Sequence, residues 1–234
     1  MSPRPDDPSS EGGPAADPEE IELKLAVGQP AVIRALICRP PAGGIAGFTP
    51  IGPARRVTCV DRYFDTAAID GQLRLGGVRA RLREQAGGVT LAVKLSITSD
   101  GAVSRRVELQ GPAIARLDPA SWPASDARAR VMSLLGDRPI VEIAALRQRR
   151  LQRDFMRDDT TVEISLDHMS ALDGARILDS RTEVEAELLS GDAALLHEIS
   201  EDLQILPGVS PAAGSKLAFA LAARASRPAE LPAS

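Results

Sequence analysis

Alternating polar and apolar positions run along most of the chain and predict eight β-strands. The first, EEIELKLAV at residues 19–27, puts two glutamates and a lysine on one face and an isoleucine and two leucines on the other. The sixth strand is less regular, because arginines and glutamines make both of its faces polar. The predicted strands are 20–27, 57–65, 77–85, 89–97, 103–110, 144–155, 160–168 and 180–189, with hairpins joining the third to the fourth and the sixth to the seventh.

Apolar positions spaced three or four residues apart predict four helices, at 31–38, 125–136, 192–205 and 214–224. Asp192 is expected to be the N-cap of the third. Residues 1–18 are rich in Pro, Gly, Ser and Asp and are predicted to be a disordered tail, and 39–54 are predicted to be a long loop. The sequence thus predicts one α+β domain over 19–225, followed by a C-terminal tail at 226–234.

The strand pattern allows two architectures. In the first, the apolar faces point into a small barrel or sandwich and the charged faces meet water. In the second, the apolar faces point outward beneath the amphipathic helices, and the charged faces line the interior of a closed eight-stranded barrel. The second is costly unless the buried charges pair with one another, or with a highly charged ligand and metal ions.

Composition and charge narrow the classes of partner. The net charge of -4 gives no general attraction to nucleic acid, and no apolar run reaches the roughly 18 residues of a membrane helix. We therefore expect a cytoplasmic protein that binds neither nucleic acid nor a membrane. The 28 basic residues include only three lysines, Lys24, Lys94 and Lys216. Lysine is a compact point charge and arginine a planar fork, so the two are not equivalent at a phosphate site.

A series of short motifs resembles the CYTH domain family, also called triphosphate tunnel metalloenzymes. In chain order these are EIELK at 20–24, YFDT at 63–66, VRAR at 78–81 with Glu84, TLAVK at 90–94, RVE at 106–108, VEISLD at 162–167, EVEAEL at 183–188 and SK at 215–216. The resemblance covers residues 19 to about 224, and all three lysines fall on its motif positions. It implies the second architecture: an eight-stranded antiparallel β-barrel tunnel with a charged lumen and helices outside.

The resemblance also implies functional residues. A linear triphosphate needs cations on more than one wall, and Mg²⁺ or Mn²⁺ would bridge its oxygens to carboxylates. The expected substrate-binding residues are Lys24, Arg79, Arg81, Lys94, Arg106, Arg147, Arg149 and Lys216. The expected metal ligands are Glu20, Glu22, Glu183, Glu185 and Glu187. The expected catalytic residues are Lys24, Glu163 and Asp167.

Other residues receive less specific predictions. Arg83 is equally compatible with a tunnel role and with charge neutralisation, whereas Arg150 and Arg153 are expected at the surface or in ion pairs. Tyr63 and Asp65 are expected to shape a strand end, Trp122 to pack, and His168 and His197 to lie at the surface.

Within the family, the layout most resembles the bacterial inorganic triphosphatases, hydrolases that split tripolyphosphate into pyrophosphate and phosphate. Thiamine triphosphatase, class IV adenylate cyclase and a non-catalytic module that binds polyphosphate or a nucleotide remain as alternatives. An aromatic content of 3% offers little for holding a thiazolium or purine ring. A homodimer is compatible with the sequence.

Overall fold

The structure is a computed structural model that describes residues 19–68 and 71–226. The two predicted tails, apart from Ser226, lie outside the described residues. No helix in these ranges is long and apolar enough to span a membrane.

Eight antiparallel strands close into a barrel, as predicted. They are β1 (Glu19–Val27), β2 (Thr49–Thr66), β3 (Val78–Gln85), β4 (Gly88–Asp100), β5 (Val103–Ala113), β6 (Ile140–Arg157), β7 (Thr160–Asp173) and β8 (Arg176–Ser190). The hydrogen-bonded order is β5-β4-β3-β2-β6-β7-β8-β1, and pairing of β1 with β5 closes the ring. A short strand, β9 (Val209–Pro211), pairs with the end of β1.

The predicted loop at 39–54 is partly wrong, because β2 already begins at Thr49 and pairs there with Met156. The pairing of β2 with β6 is irregular between Ile51 and Arg55. The interruption coincides with the sequence Gly52-Pro53, where proline cannot donate to a ladder. Proline and glycine thus suggested a loop where the chain makes an irregular strand.

In the described ranges, five α-helices lie against the barrel: α1 (Pro30–Cys38), α2 (Gln72–Leu75), α3 (Asp126–Leu135), α4 (Leu195–Gln204) and α5 (Lys216–Ala225). Helix α2 was not predicted; it is a single turn whose Leu73 amide donates to Asp65 at 2.9 Å. The expected N-cap at Asp192 is also wrong, because α4 begins at Leu195. The Asp192 carboxylate instead accepts a hydrogen bond from the Ala194 amide at 2.8 Å, in the turn before the helix.

The apolar strand faces point outward and are covered by helices. Around β1, β7 and β8, residues such as Leu23 and Ile164 pack with Ile33 of α1 and Ile199 of α4. A second cluster joins β3 and β4 to α2 and α3. At one end of the barrel, α5 packs Leu217 against side chains of β2 and β6. Since alternate side chains point to opposite faces, the charged residues between these apolar positions must face the lumen.

Candidate functional site

The barrel encloses a narrow tunnel with an accessible volume of about 100 Å³. Charged side chains from six strands and from α5 line it. Among the described residues these are the glutamates Glu20, Glu22, Glu108, Glu185 and Glu187 and the cationic residues Lys24, Arg79, Arg81, Arg83, Lys94, Arg106, Arg150 and Lys216. The lumen therefore mixes cations and carboxylates along its length.

On β1, Lys24 lies between two glutamates. Its Nζ is 2.8 Å from Glu22 and 3.0 Å from Glu185 on the neighbouring strand β8. Burial alone would lower the pKa of Lys24, but the negative charges of Glu185 and Glu183 outweigh it and raise the pKa. Lys24 is consequently a fixed positive charge in the wall.

A second cluster lies where β4 and β5 meet β1. Lys94 Nζ is 2.7 Å from Glu20 and 2.8 Å from Glu108. Arg106, which lies opposite Glu20 in the β1–β5 ladder, is 3.4 Å from Glu20 and also pairs with Glu22. Burial would raise the pKa of Glu108, yet the charge of Lys94 holds it at about 2. The pairing of strands β1 and β5, which closes the barrel, thus also assembles this part of the site.

The arginines of β3 face a buried carboxylate on β2. Arg81 is 3.1 Å from Asp61, and Arg83 donates two hydrogen bonds to it, at 2.7 and 2.9 Å. Gln148 of β6 also donates to Asp61. Despite complete burial, the charges of Arg81 and Arg83 lower the pKa of Asp61 to about 2. Asp61 was missed by the sequence analysis, although it shares a strand face with Tyr63, which also lines the tunnel.

At the end near α5, two cations share two carboxylates. Lys216 Nζ is 2.7 Å from Asp167 and 2.9 Å from Glu185, and Arg150 is 2.8 Å from Asp167 and 3.4 Å from Glu185. Burial would raise the pKa of Glu185, but the charges of Lys216, Lys24 and Arg150 hold it well below its usual range. Asp167 thus fixes both cations.

The structure corrects the predicted tunnel residues of β6. Arg150, expected at the surface or in ion pairs, does form ion pairs with Asp167 and Glu185, but it forms them in the lumen. Arg147 and Arg149 lie on the opposite face of the strand and do not line it, so their predicted substrate contacts are wrong. Leu151 and Phe155 have the same parity as these two arginines and pack in the outer core. That apolar pair was a usable signal of which face points outward.

A family model for the CYTH domain matches residues 19–219. The chain belongs to the CYTH domain family. Among solved structures, HpAC1 from Hippeastrum, described as an adenylyl cyclase candidate with a dominant triphosphatase activity, is similar with a TM-score of 0.65 and 18% identity, over 91% of this chain and 98% of that one. A candidate adenylate cyclase from Bacillus halodurans is similar with a TM-score of 0.54 and 17% identity, over 86% and 97%. No curated protein matches this chain.

The carboxylates of this CYTH tunnel fit a divalent metal by their chemistry. Oε2 of Glu183 is buried with neither a hydrogen-bond donor nor an ion-pair partner among the described residues, whereas Oε1 of Glu183 lies 2.8 Å from Arg181 and Oε1 of Glu185 lies 3.0 Å from Lys24. Burial, together with the charges of Glu20 and Glu163, raises the pKa of Glu187 to about 6. Within the described chain, no three carboxylates already converge on one point. Glutamate oxygens that lack donors or repel one another are suited to a hard cation such as Mg²⁺ or Mn²⁺.

Glu163, expected to be catalytic, does not line the tunnel cavity. It accepts a hydrogen bond from Gln152 at 2.6 Å and lies 3.1 Å from Arg55. Burial raises its pKa. It lies directly opposite Glu187 in the β7–β8 ladder, so the two side chains project to the same side of the wall, beside the lumen.

Most residues with less specific predictions lie where they were expected. Asp65 accepts backbone hydrogen bonds from α2, and Arg153 donates to backbone oxygens of Ile37 and Gly52 on the outer side of the barrel. The ring of Trp122 packs 5.4 Å from that of Phe64, and both histidines are exposed. Arg83 and Tyr63 both line the CYTH tunnel, so Tyr63 does more than shape a strand end.

Proposed function

We propose that this CYTH protein is a metal-dependent triphosphatase that hydrolyses inorganic tripolyphosphate to pyrophosphate and phosphate. The observation that supports it is the arrangement of cations around the lumen. Lys24, Arg81, Lys94, Arg150 and Lys216 approach from different strands and from α5, so a linear polyanion along the tunnel would meet positive charge on several sides. HpAC1, described as a triphosphatase, has the same fold.

The ion pairs explain how the tunnel can hold a polyanion without permanent excess charge. Lys94, for example, contacts Glu20 and Glu108, and Lys24 contacts Glu22 and Glu185. A triphosphate would replace carboxylates as the partner of these cations, with contacts that are strong because the site is partly closed to water. The carboxylates that lose their cations would then need another positive charge.

Glu20, Glu22, Glu183, Glu185 and Glu187 would hold that charge as a divalent metal ion. When bound, the ion would neutralise charge on the phosphoryl group and lower the pKa of a coordinated water. Glu185 is central to this exchange, because its Oε1 lies 3.0 Å from Lys24 and its Oε2 contacts Lys216 and Arg150, three cations that a triphosphate would contact instead.

The reaction requires a water to attack the terminal phosphorus. The new oxygen–phosphorus bond forms as the bridging phosphorus–oxygen bond breaks, pyrophosphate leaves, and the water proton passes to a carboxylate. Glu163, which lies opposite the proposed metal ligand Glu187 in the β7–β8 ladder, is the proposed acceptor. Lys24 would contact the phosphates, and Asp167 acts as a positioning residue by holding Lys216 and Arg150.

The choice of tripolyphosphate over a larger substrate is supported by the lining. Tyr63 is the one aromatic side chain that the described residues contribute to the tunnel. A thiamine triphosphatase or a class IV adenylate cyclase would need additional groups to hold a thiazolium or a purine. The lumen offers charge for phosphates and little apolar surface for a ring.

Phosphate release from tripolyphosphate, ATP and thiamine triphosphate, each with Mg²⁺ or Mn²⁺, tests the proposal. We expect tripolyphosphate to be hydrolysed fastest. Formation of cyclic AMP as the main product from ATP would identify a cyclase. Tight binding of tripolyphosphate without phosphate release, from neutral to alkaline pH, would leave the non-catalytic binding module instead.

A further inference from the structure

A second cavity lies on the outer side of the barrel wall and has an accessible volume of about 480 Å³. Strand register brings a row of polar side chains together at this cavity. Thr58 of β2 lies opposite Arg149 of β6, Arg149 lies opposite His168 of β7, and His168 lies opposite Thr182 of β8. All four line the cavity, so they project side by side from the same face of four adjacent strands.

The lining of this outer cavity is strongly positive. Arg34 of α1 and Arg56 of β2 join Arg149 there, and no carboxylate of the described chain lines it. None of the three arginine side chains has an ion pair or hydrogen bond within the described residues. Three unpaired like charges around one cavity create a local positive potential that favours binding of an anion.

The start of α1 adds to the positive potential. Pro30, its first residue, lines the cavity, and Gln29 before it makes no side-chain cap. The backbone N–H groups of a first helical turn carry partial positive charge that favours an anion. This helix end supports the arginines, which remain the main source of charge.

The outer cavity and the tunnel use opposite faces of the same wall. On adjacent strands, Asp167 and Glu183 point inward, while the neighbouring residues His168 and Thr182 line the outer cavity. Arg150 borders both cavities. Inside, cations such as Lys216 and Arg150 contact carboxylates, whereas the outer arginines lack such partners. The difference indicates two separate sites.

We propose that the outer cavity is a binding site for a small polyvalent anion of the phosphate class, held by Arg34, Arg56 and Arg149. The planar guanidinium group matches the oxygens of a phosphate in pairs, and hydroxyl groups of Thr58 and Thr182 are available as donors at the floor. The inference is independent of what the tunnel hydrolyses.

The two histidines make a direct test practicable, because the sequence contains only His168 and His197. His168 lies in the cavity, with its Nδ1 3.2 Å from Thr182 Oγ1, whereas His197 is exposed on α4. The imidazole C–H signals of both would be followed by NMR at fixed pH while inorganic pyrophosphate is added in metal-free buffer. We expect a saturable shift of the His168 signals and little change in those of His197.

Charge reversal identifies the residues responsible. Arg149→Glu and, separately, Arg56→Glu should each weaken the His168 response by about tenfold or more, since each removes a charge-assisted contact and adds repulsion. Arg130→Glu is the matched control, an exposed arginine on α3 outside the cavity, and should leave the response unchanged. Both reversed positions are exposed, so folding should be retained.

Lys94→Ala separates this site from the tunnel, because it removes a tunnel cation and leaves the outer cavity intact. It should not alter the His168 response. Absence of any His168 shift, or a shift that survives both charge reversals, would overturn the inference. Loss of the shift in Lys94→Ala would also overturn it, because the signal would then originate in the tunnel.

Discussion

Arg149 and Arg150 are adjacent on β6 and point to opposite faces of the barrel wall, which makes them a matched pair for testing the tunnel. Arg150 is 2.8 Å from Asp167 and 3.4 Å from Glu185, whereas Arg149 is exposed and unpaired among the described residues. We expect Arg150→Ala to impair tripolyphosphate hydrolysis and Arg149→Ala to leave it nearly unchanged. From the sequence, Arg149 was expected to contact the substrate and Arg150 to lie at the surface or in ion pairs.

The magnitude for Arg150 follows from its contacts. A hydrogen bond to a charged group contributes about 1.5–3 kcal/mol, so loss of one phosphate contact should lower kcat/KM by roughly ten- to 150-fold. Removing one partner of a buried ion pair costs about 3–5 kcal/mol. Because Lys216 still contacts both carboxylates, the lower end, about 3 kcal/mol, is expected. For a chain of this size, that loss lowers Tm by about 6–12 °C.

Phosphate release should be measured well below the Tm of each variant, so that unfolding does not contribute. Arg150→Lys keeps the charge and loses the planar fork, and it should recover part of the activity. Arg149→Ala should stay within about threefold of wild type, because an exposed, unpaired side chain contributes about 0.5 kcal/mol or less. The tunnel assignment would be refuted if Arg149→Ala were as damaging as Arg150→Ala, or if neither substitution affected turnover.

Four further substitutions test charged residues in and beside the tunnel. Glu22→Gln should reduce turnover by orders of magnitude, with partial rescue by added metal. Lys94→Ala should act mainly on KM if its phosphate contact is equal in the ground and transition states. Steady-state kinetics distinguishes the effect on turnover from the effect on KM. Asp61 has a pKa of about 2 against an ordinary 3.8, so its contribution of about 2 kcal/mol is present above pH 4 and lost as the pH falls through 2. Urea unfolding of Asp61→Asn should therefore show a loss of stability, relative to wild type, that shrinks over that range. The pKa of Glu187 is raised from 4.5 to about 6, so this side chain destabilises the metal-free fold when it is ionised. Glu187→Gln should therefore raise the free energy of unfolding by at most about 2 kcal/mol above pH 6, and not at all below pH 4.5. An equal rise at every pH would contradict this reasoning.

The strand faces could be predicted wherever one face was clearly apolar. In β1, Leu23 and Leu25 alternate with charged residues, and the structure buries both leucines beneath helices. In β6 the alternation gave a weaker signal, because Arg149 and Arg150 are both polar and neither face of the strand is uniformly apolar. Only the spacing of Leu151 and Phe155, which lie outside, could have decided between them.

The ion-pair partners could not be predicted, because they depend on the register of strands far apart in the chain. Glu20 and Lys94 are 74 residues apart and meet only because β1 pairs with β5 to close the barrel. Burying Asp61 completely is tolerable only with Arg81 and Arg83 within hydrogen-bonding distance, which no local pattern specifies.

A one-residue slip of any strand would turn the lumen charges of that strand outward and its helix-facing side chains inward. The apolar outer face therefore determines the register, and the register in turn determines which charges meet in the tunnel. A substitution in the outer core, such as one that shifts Phe155 of β6, can accordingly disturb Arg150 without touching the lumen. The chemistry of the tunnel rests on the packing of the helices around it.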